Sequence, residues 1–331
     1  MSQALQRAWL RRGALAWLLW PVSLLFGAAA ALRRMAYQRL LLETERLPVP
    51  VVVVGNVVAG GSGKTPLVIA LIEHLRSRGI AAGVVSRGYG RSGGGCREVK
   101  QDSDAADVGD EPLLVARATG VPVFVAAARA EAARALLNAH PATQVIVCDD
   151  GLQHYALQRD IEICVFDERG AGNGWLLPAG PLREPWPRDV DLIVQSGRPE
   201  GIGGFEVQRR LADHARRADG TQAGLAELRG RRLTAVAAIA KPEAFFAMLR
   251  HAGLQLARTV ALPDHHDFSQ GLALPGGAEL VCTEKDAVKL WRRHPQAWAV
   301  PLVVTVEPRF WTEFDRLLDA KLSSAHGPQT S

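Results

Sequence analysis

Residues 51–66 read VVVVGNVVAGGSGKTP, a run of valines followed by a glycine-rich segment. Four successive valines are typical of a strand that is buried on both faces of a parallel sheet. The glycine-rich segment after them leads into an apolar pattern at helical spacing over residues 65–78. A loop of this kind, between a strand and a helix N-terminus, directs backbone N–H groups at an anion. The stretch therefore predicts an α/β fold with a phosphate-binding loop.

Two residues of this loop have a predicted chemical role. Lys64 is expected to reach the β- and γ-phosphates of a nucleotide, and the Thr65 hydroxyl is expected to ligate Mg²⁺. The usual pattern G-x-x-x-x-G-K-[ST] requires glycine at position 58, where this chain has Val58. The placement between strand and helix still predicts a nucleotide-binding loop, formed by Gly60, Gly61, Ser62, Gly63, Lys64 and Thr65.

Strand-like and helix-like segments alternate along most of the chain, which predicts mostly parallel sheets flanked by helices. The strands predicted in the first half are Val51–Val54, Ala82–Ser86, Val121–Val125, Val145–Cys148, Ile161–Phe166 and Leu192–Gln195, and the helices are Thr65–Arg78, Glu111–Thr119 and Arg129–Asn138. The strands predicted in the second half are Leu233–Ile239, Ala257–Leu262, Glu279–Cys282 and Pro301–Val306, and the helices are Pro242–His251, Asp286–Arg293 and Trp311–Leu322.

The chain divides into four predicted regions. Its 331 residues correspond to about two domains. The stretch 197–230 is rich in glycine and charge, with one short strand-like piece, and predicts a hinge or linker between the domains. We therefore expect an apolar N-terminal helix at 1–45, a P-loop core at 46–196 and a smaller α/β domain at 231–331.

Residues Gly13–Leu32 form a run of 20 residues without charge. About 20 apolar residues suffice to cross a bilayer as a helix. Arginines flank the run on both sides, and Pro21 interrupts its middle. The pattern is compatible with a cleaved signal peptide, a spanning helix, an interfacial anchor or an ordinary buried helix.

The composition excludes several classes of protein. Hydrophobic residues make up 48% and charged residues 22%, which argues against a disordered chain or a disulfide framework. The four cysteines are scattered, which argues against a zinc module and suits a reducing compartment. A net charge of +5 indicates an anionic partner, such as a nucleotide, a nucleic acid, a phospholipid or a membrane surface.

The apolar strand predicted at 145–148 ends in two carboxylates, Asp149 and Asp150. In P-loop enzymes such a strand delivers an aspartate to the metal that the P-loop threonine also holds. Adjacent carboxylates repel each other and favour a cation or a shared proton. Adjacent aspartates at the end of a strand are also common in helix caps and turns, but the P-loop earlier in the chain favours a metal site.

Two further segments carry groups that are suited to acid–base chemistry. Asp110 and Glu111 stand at a predicted helix start, where a carboxylate is either an N-cap or the base that accepts a hydroxyl proton. The segment Asp264–Phe268 contains His265 and His266 at a strand end in the second unit. Two histidines without a third spaced ligand make a weak metal site, and a histidine paired with a carboxylate across a cleft suits acid–base work better.

The loop Asn173–Pro185 is long and stiffened by prolines. It contains a cation, Arg183, and an anion, Glu184, which are suited to meet phosphate and Mg²⁺. The alternative is a loop with a purely structural role.

Seven motifs occur in the order found in one enzyme family. They are GNVVAGGSGKTP (55–66), SRGYGR (86–91), GDEP (109–112), DDGLQH (149–154), PAGPLREP (178–185), DHHDF (264–268) and TEKD (283–286). On these motifs the chain resembles the tetraacyldisaccharide 4'-kinase family over nearly its whole length, including the apolar N-terminal helix. Val58 fits this family, whose P-loop is similarly atypical.

The resemblance implies a kinase that moves the γ-phosphate of ATP to the 4'-hydroxyl of a tetraacyldisaccharide 1-phosphate in lipid A biosynthesis. It implies a site at the cytoplasmic face of the bacterial inner membrane, with a lipid substrate and a membrane surface as partners. No nucleic acid and no obligate protein partner are expected. Because the ATP site must stay in the cytoplasm, an uncleaved anchor is favoured over a signal peptide.

The resemblance also implies roles for individual residues. Asp110 is the expected base, His265 its polarising partner from the second domain, and Lys64 the residue that stabilises charge on the transferring phosphoryl group. The hinge at 197–230 is expected to let the His265 loop approach Asp110. The expected Mg²⁺ shell, direct or through water, consists of Thr65, Asp149 and Glu184. The expected supporting or substrate-contacting residues are Glu111, Asp150, His154, Arg183, Arg87 and Tyr89.

Two alternatives from other functional classes stay open at this point. The first is a P-loop ATPase or GTPase switch that binds nucleic acid or protein, which would use the basic charge for a polyanion. The second is a membrane-tethered nucleotide-binding scaffold without catalysis. A base next to the phosphate site separates the kinase from both.

Overall fold

The computed structural model of the chain describes residues 8–61, 63–268 and 279–325. The strands of these residues form a nine-stranded and a six-stranded sheet. The first sheet contains β1 (Val51–Gly55), β2 (Ala82–Ser86), β3 (Arg97–Glu98), β4 (Val123–Val125), β5 (Val145–Asp149), β6 (Ile161–Phe166), β7 (Leu192–Gln195), β8 (Phe205–Leu211) and β15 (Leu302–Val306). The second contains β9 (His214–Arg216), β10 (Gln222–Gly224), β11 (Leu233–Ala237), β12 (Leu256–Ala261), β13 (Glu279–Thr283) and β14 (Trp298–Val300).

The helices connect these strands and cover the sheets. In chain order they are α1 (Ala14–Gln38), α2 (Lys64–Ser77), α3 (Ala105–Val108), α4 (Asp110–Thr119), α5 (Arg129–Ala139), α6 (Pro242–His251), α7 (Glu284–Leu290) and α8 (Pro308–Ala325). Most of the elements predicted from the sequence are present, and their ends differ from the predictions by a few residues.

The first sheet has the strand order β15-β8-β7-β6-β1-β5-β2-β4-β3. All pairings from β8 to β4 are parallel, whereas β15 and β3 join the two edges antiparallel. In the centre, Val53 of β1 pairs with Cys148 of β5 and with Glu162 of β6. Because the carboxyl ends of parallel strands meet at one edge, the loops after β1 and β5 lie side by side.

Helices cover both faces of the first sheet. On one face, Leu71 of α2 belongs to the same buried cluster as Phe314 of α8. On the other face, Leu136 of α5 is buried with Val51 and Val53 of β1. This double burial explains the uninterrupted valine run, and the predicted α/β fold with mostly parallel, helix-flanked strands is confirmed.

The chain crosses between the two sheets at two neighbouring points. β8 continues through residues 212–213 into β9, and β14 continues through Pro301 into β15. The Ala212 N–H donates to the Pro301 carbonyl over 2.9 Å, so the crossings lie side by side. Proline has no N–H to donate to a strand ladder, which suits Pro301 to the point where one sheet ends and the other begins.

Two expectations about the second half differ from the structure. The stretch 197–230, predicted as a linker, contains β8, β9, β10 and a 3-10 turn at Leu225–Leu228. The segments predicted at 301–306 and 311–322 were expected in the second unit, but β15 pairs with β8 of the first sheet and α8 packs on that sheet. Charged residues interrupt the apolar pattern in 197–230, so its strands were not predicted. Nothing in the order of the predicted elements indicated that the chain returns to the first sheet after 300.

α1 contacts the first unit along one narrow face. The Ser23 hydroxyl donates to the Leu176 carbonyl over 2.8 Å and accepts from the Ala179 N–H over 2.9 Å. The Trp17 ring packs edge-on against Trp175, with centroids 4.7 Å apart. The large apolar side chains that α1 exposes are Leu15, Trp17, Leu18, Trp20, Val22, Leu24, Leu25, Phe26, Leu32 and Met35.

Among the described residues, α1 is the one helix that is long and apolar enough to cross a membrane. Its mean hydropathy reaches 1.9, and 11% of its most apolar segment is buried within the protein. An ordinary core helix would be mostly buried, so this exposure argues against that alternative.

Phe314→Ala tests whether α8 belongs to the core of the first sheet. The ring is fully buried, and its loss leaves a cavity that should cost about 3–5 kcal/mol in the free energy of unfolding. Denaturant titration followed by circular dichroism in one detergent measures the change. Leu25→Ala on the exposed face of α1 is the control, with an expected change under about 0.5 kcal/mol. Equal stability of both variants and the wild type would contradict the packing described.

Candidate active site

The phosphate-binding loop connects β1 to α2, as the sequence predicts. Gly63 precedes α2 with a φ of 77°, a left-handed conformation that glycine adopts without strain. Lys64 begins the helix, and its Nζ lies 3.2 Å from Asn56 Oδ1 and 3.3 Å from Asp150 Oδ1. Asn56 Nδ2 also donates to the Val58 carbonyl over 2.6 Å. Asn56 therefore braces both the loop backbone and the lysine that is expected to contact phosphate.

Asp149 is a buried carboxylate at the end of β5. Its residue is 2% exposed, and its Oδ1 has no hydrogen-bond partner within the described part of the chain. Burial raises the pKa of Asp149 to about 7, and the negative charge of Glu111 adds to the effect. A buried carboxylate oxygen without a partner is costly, and a bound cation relieves that cost. The donor set of Asp149 and the Thr65 hydroxyl fits Mg²⁺, which takes few carboxylates and completes its shell with phosphate oxygens and water.

Asp150 has a different environment from its neighbour. Its carboxylate lies 3.3 Å from Lys64 Nζ and accepts from Arg183 Nη1 over 3.2 Å. Burial raises the pKa of Asp150, but the charges of Lys64 and Arg183 outweigh burial and leave the pKa below its ordinary value. Asp150 is therefore ionised, and it holds Lys64 and Arg183, two cations that are predicted to contact phosphate, at the end of β5.

Glu184 accepts hydrogen bonds at both carboxylate oxygens. Gln153 Nε2 donates over 2.6 Å, the Tyr155 hydroxyl over 3.0 Å and Arg188 Nη1 over 3.2 Å. Gln153 also donates to the Asn56 carbonyl over 3.1 Å. In the described residues no group of three or more His, Cys, Asp and Glu side chains could hold a metal ion, so the structure does not gather Glu184 into such a cluster. Glu184 instead ties its own loop to the start of the P-loop.

Asp110 is the first residue of α4 and is buried. Its Oδ2 lies 3.1 Å from His265 Nδ1 and 2.7 Å from Lys289 Nζ. Burial raises the pKa of Asp110, but the hydrogen bonds from His265 and Lys289 and the charge of Lys289 outweigh burial and hold the pKa below its ordinary value. The carboxylate is therefore ionised at neutral pH. Within the described residues both contacts are to Oδ2, so Oδ1 is the oxygen that can accept a proton.

The SRGYGR loop lies against the start of α4. A Cβ atom built on Gly109 would lie 3.1 Å from the Gly88 backbone, so the two segments touch where glycine leaves room. The exposed Tyr89 ring lies 5.5 Å from the His265 ring, centroid to centroid. Arg87 is exposed. Tyr89 therefore borders the pair of Asp110 and His265, whereas Arg87 makes no contact with that pair in the part of the chain that the structure describes.

Two predicted supporting residues make structural contacts. Glu111 Oε1 lies 3.4 Å from Lys285 Nζ of α7. The Arg129 N–H donates to His154 Nε2 over 3.2 Å, and Arg129 Nη2 donates to the Asp150 carbonyl over 3.1 Å. His154 thus acts on the site through Arg129. Ser62, the remaining predicted loop residue, lies outside the described residues.

A second bridge between the two units contacts the P-loop backbone. Lys241, just before α6, donates to Asp167 Oδ2 over 3.0 Å and also pairs with Glu168. Arg169 Nε donates to Asp167 over 2.9 Å, and its Nη2 donates to the Gly61 carbonyl over 3.3 Å. The P-loop backbone is therefore connected to the second unit through the loop after β6.

A cavity of about 910 Å³ opens between the units. Gly60 and Gly61 of the P-loop line one wall, and Lys241 and Asp264 of the second unit line another. The cavity therefore extends from the P-loop to the residue before His265.

Several residues of the site escaped the sequence analysis, namely Asn56, Asp167, Arg169, Lys241, Lys285 and Lys289. Asp167 directly follows β6, the strand beside β1. Ligands bind at the carboxyl ends of parallel strands, so this position could have predicted Asp167 as a site residue. Lys285 lies in the quoted TEKD motif, and Lys289 follows one helical turn later on the same face. Their partners belong to the other unit and are far away in sequence.

His154 gives a pH-dependent prediction. Burial lowers the pKa of His154 to about 4, and the charges of Arg129 and Arg159 contribute. Because the folded pKa lies below the ordinary value of about 6.5, the neutral ring stabilises the fold above that pH, and this contribution is lost as the pH falls toward 4. His154→Gln keeps an acceptor but does not titrate, so it should lose less stability than the wild type between pH 6.5 and pH 4.

Thermal unfolding measured from pH 8 to pH 4 tests this expectation. His251→Gln, at an exposed position near the end of α6, is the control and should follow the wild type. Parallel curves for the wild type and His154→Gln would contradict the role of His154.

Comparisons with known proteins agree on one family. The family model LpxK, tetraacyldisaccharide-1-P 4'-kinase, matches residues 15–323. The tetraacyldisaccharide 4'-kinase of Acidovorax sp. (strain JS42) is 58% identical over 329 residues, which cover 98% of this chain and 97% of that protein. The tetraacyldisaccharide 4'-kinase of Polaromonas sp. (strain JS666 / ATCC BAA-500) is 57% identical over 337 residues, which cover 98% and 100%.

A solved structure is similar over most of its length. The crystal structure of the "apo" form of LpxK from Aquifex aeolicus in complex with ATP has a TM-score of 0.81 and 28% identity to this chain. The match covers 92% of this chain and 99% of that one. Together with the family match over nearly the whole sequence, this similarity shows that the chain belongs to the tetraacyldisaccharide 4'-kinase family.

Proposed function

We propose that this chain transfers the γ-phosphate of ATP to the 4'-hydroxyl of a tetraacyldisaccharide 1-phosphate in lipid A biosynthesis. The observation that carries the proposal is the contact of Asp110 with His265. This contact joins an ionised carboxylate of the first unit to an imidazole of the second, and the neighbouring cavity is lined by Gly60 and Gly61 of the P-loop and by Asp264, the residue before His265. The family match and the relatives' names support the same activity.

The proposed chemistry needs one proton acceptor and several fixed charges. Asp110 accepts the proton of the substrate's 4'-hydroxyl. The hydroxyl oxygen bonds to the γ-phosphorus, and the bond from that phosphorus to the bridging oxygen, which leaves with ADP, breaks. Lys64 and the backbone N–H groups of the loop stabilise charge on the transferring group. Because the transition state is loose, positioning and charge contribute more than the strength of the base. A carboxylate with a lowered pKa is sufficient for this task.

We propose that Mg²⁺ binds between the Thr65 hydroxyl and Asp149. The unpartnered Oδ1 of Asp149 supports this assignment. When bound, the ion would neutralise charge on the β- and γ-phosphates. Glu184 contributes through Gln153 and the P-loop segment that it anchors.

The two units are proposed to close around the substrates: the nine-stranded sheet with its helices forms one side, and the six-stranded sheet with α6 and α7 forms the other. The crossings at 212–213 and Pro301 join them, and the stretch 197–230 contains the first of these crossings. Closure would exclude water from the phosphoryl group and hold His265 against Asp110, a contact that the structure already contains.

We propose that α1 anchors the enzyme at the cytoplasmic face of the inner membrane. The exposed apolar side chains of α1 and the arginines that flank the run support an anionic membrane surface as the partner. The bonds of Ser23 to residues 176 and 179 favour an integral helix over a cleaved signal peptide. Anchoring would bring the cleft to an acylated substrate. The comparisons offer no support for the alternative of a switch that acts on nucleic acid or protein.

Asp110→Asn tests the base. Without an ionised carboxylate, kcat should fall by about 10²–10⁴-fold, while binding of a fluorescent ATP analogue should stay within about twofold. Transfer of labelled γ-phosphate to the disaccharide lipid in detergent micelles measures the rate. Asp107→Asn changes an exposed carboxylate of α3 and should retain full activity. A wild-type rate in Asp110→Asn, or ATP turnover that rises with nucleic acid and not with lipid, would contradict the proposal.

Asp149→Asn tests the metal site. Loss of the carboxylate should raise the Mg²⁺ concentration at half-saturation at least about tenfold. Titration of the Mg²⁺-dependent binding of a fluorescent ATP analogue reads the effect without turnover. Asp102→Asn, at an exposed position, is the matched control. An unchanged Mg²⁺ dependence in Asp149→Asn would remove this residue from the metal site.

A further inference from the structure

Lys289 on α7 is a cation that joins the second unit to Asp110. Its Nζ lies 2.7 Å from Asp110 Oδ2, 3.2 Å from the His265 carbonyl and 3.4 Å from the His266 carbonyl. An ammonium group has three N–H donors, and these three acceptors use all of them. One side chain thus holds the carboxylate of one unit and the loop backbone of the other.

The position of Lys289 is fixed by the start of its helix. The Thr283 hydroxyl accepts from the Asp286 N–H over 3.1 Å, which caps α7. The Asp286 carboxylate accepts from the Ala238 N–H over 3.0 Å, which ties α7 to the end of β11. Lys285 and Lys289 are four residues apart and share one helix face. That face meets the start of α4, where Lys285 pairs with Glu111.

The loop that carries His265 has a backbone conformation that needs support. His265 has a φ of 63°, in the left-handed region that residues other than glycine rarely adopt. Its N–H donates to the Ala238 carbonyl over 3.3 Å, and its carbonyl accepts from Lys289. Lys289 therefore stabilises the backbone that presents the imidazole to Asp110.

We propose that Lys289 is a positioning residue for phosphoryl transfer, which links docking of the second unit to the orientation of Asp110 and His265. In the docked arrangement Lys289 and His265 share Asp110 Oδ2, so the second unit supplies both contacts together. Movement of this unit away from α4 would remove both contacts at once and leave Asp110 without its orienting partners. The inference rests on the proposed function, since it assigns Lys289 to the base of that reaction.

The charges around Asp110 determine the pH dependence that this role predicts. Besides Asp110, the charged or titratable groups facing this point from α4, α7, the 264–268 loop and the SRGYGR loop are Glu111, Lys285, Asp286, Lys289, Asp264, His265 and Tyr89. Removal of the Lys289 charge takes away a close cation and leaves the remaining groups in place. The base should then ionise at higher pH.

Lys289→Met is the first test. We expect kcat to fall at least about tenfold, because a misplaced base and partner lose reactive geometry. Binding of a fluorescent ATP analogue should stay within about twofold. The acidic limb of the plot of kcat against pH should move to higher pH. Lys289→Arg keeps the charge, so its acidic limb should stay near that of the wild type and part of the rate should return.

A double-mutant cycle shows whether Lys289 acts through Asp110. On the Asp110→Asn background, Lys289→Met should lower kcat by less than about twofold further, because the group that it positions is already gone. Arg292→Met is the matched control. Arg292 follows α7 and pairs with Asp104 of the core, so its loss removes a bridge between the units but no contact to Asp110. This control should retain wild-type kcat and pH dependence.

Three outcomes would overturn the inference. The first is a wild-type kcat in Lys289→Met. The second is an acidic limb of the kcat–pH plot that does not move in Lys289→Met. The third is a loss of kcat from Lys289→Met on the Asp110→Asn background that is as large as the loss in the wild-type background. If thermal unfolding shows that Lys289→Met does not fold, Lys289→Gln and Lys289→Arg decide by the same readouts. If the wild type phosphorylates the disaccharide lipid and the Lys289 variants match it in kcat and pH dependence, the inference is refuted while the proposed function stands. A wild type that does not phosphorylate the disaccharide lipid refutes the proposed function, and the inference with it.

Discussion

The site depends on the parallel pairing of β1 with β5 and β6. Because parallel strands end at the same edge of a sheet, this pairing brings three loops together. The P-loop follows β1, Asp149 and Asp150 follow β5, and Asp167 follows β6. The valines that bury β1 on both faces therefore also determine where phosphate and metal chemistry is possible.

The sequence predicted the residues that carry local patterns. Lys64 and Thr65 lie at the start of the helix that follows a valine strand and a glycine-rich loop, and Asp149 ends a buried strand, so local sequence patterns predicted these positions. The approach of His265 to Asp110, expected from the resemblance, is present as a contact of 3.1 Å. Glu184 was also located, but the hydrogen bonds that occupy both of its oxygens come from side chains that no local pattern connects to it.

The residues that sequence reasoning missed act across the boundary between the two units. Lys241 and Lys289 pair with carboxylates of the first unit, and the chain joins the two units where β8 leads into β9 and where β14 returns to β15. That return passes through Pro301, and nothing local in the sequence shows it. The contacts of the cleft therefore depend on the order in which the chain visits the two sheets, whereas the P-loop depends only on local sequence.

The position of the transferred phosphate tests the central claim most directly. Product formed by the wild type from ATP and the disaccharide 1-phosphate lipid can be studied by phosphorus–proton correlation spectroscopy. We expect a new phosphate monoester coupled to the proton at carbon 4' and one ADP formed for each ester. Release of inorganic phosphate without an ester, or a phosphate on another oxygen of the lipid, would contradict it.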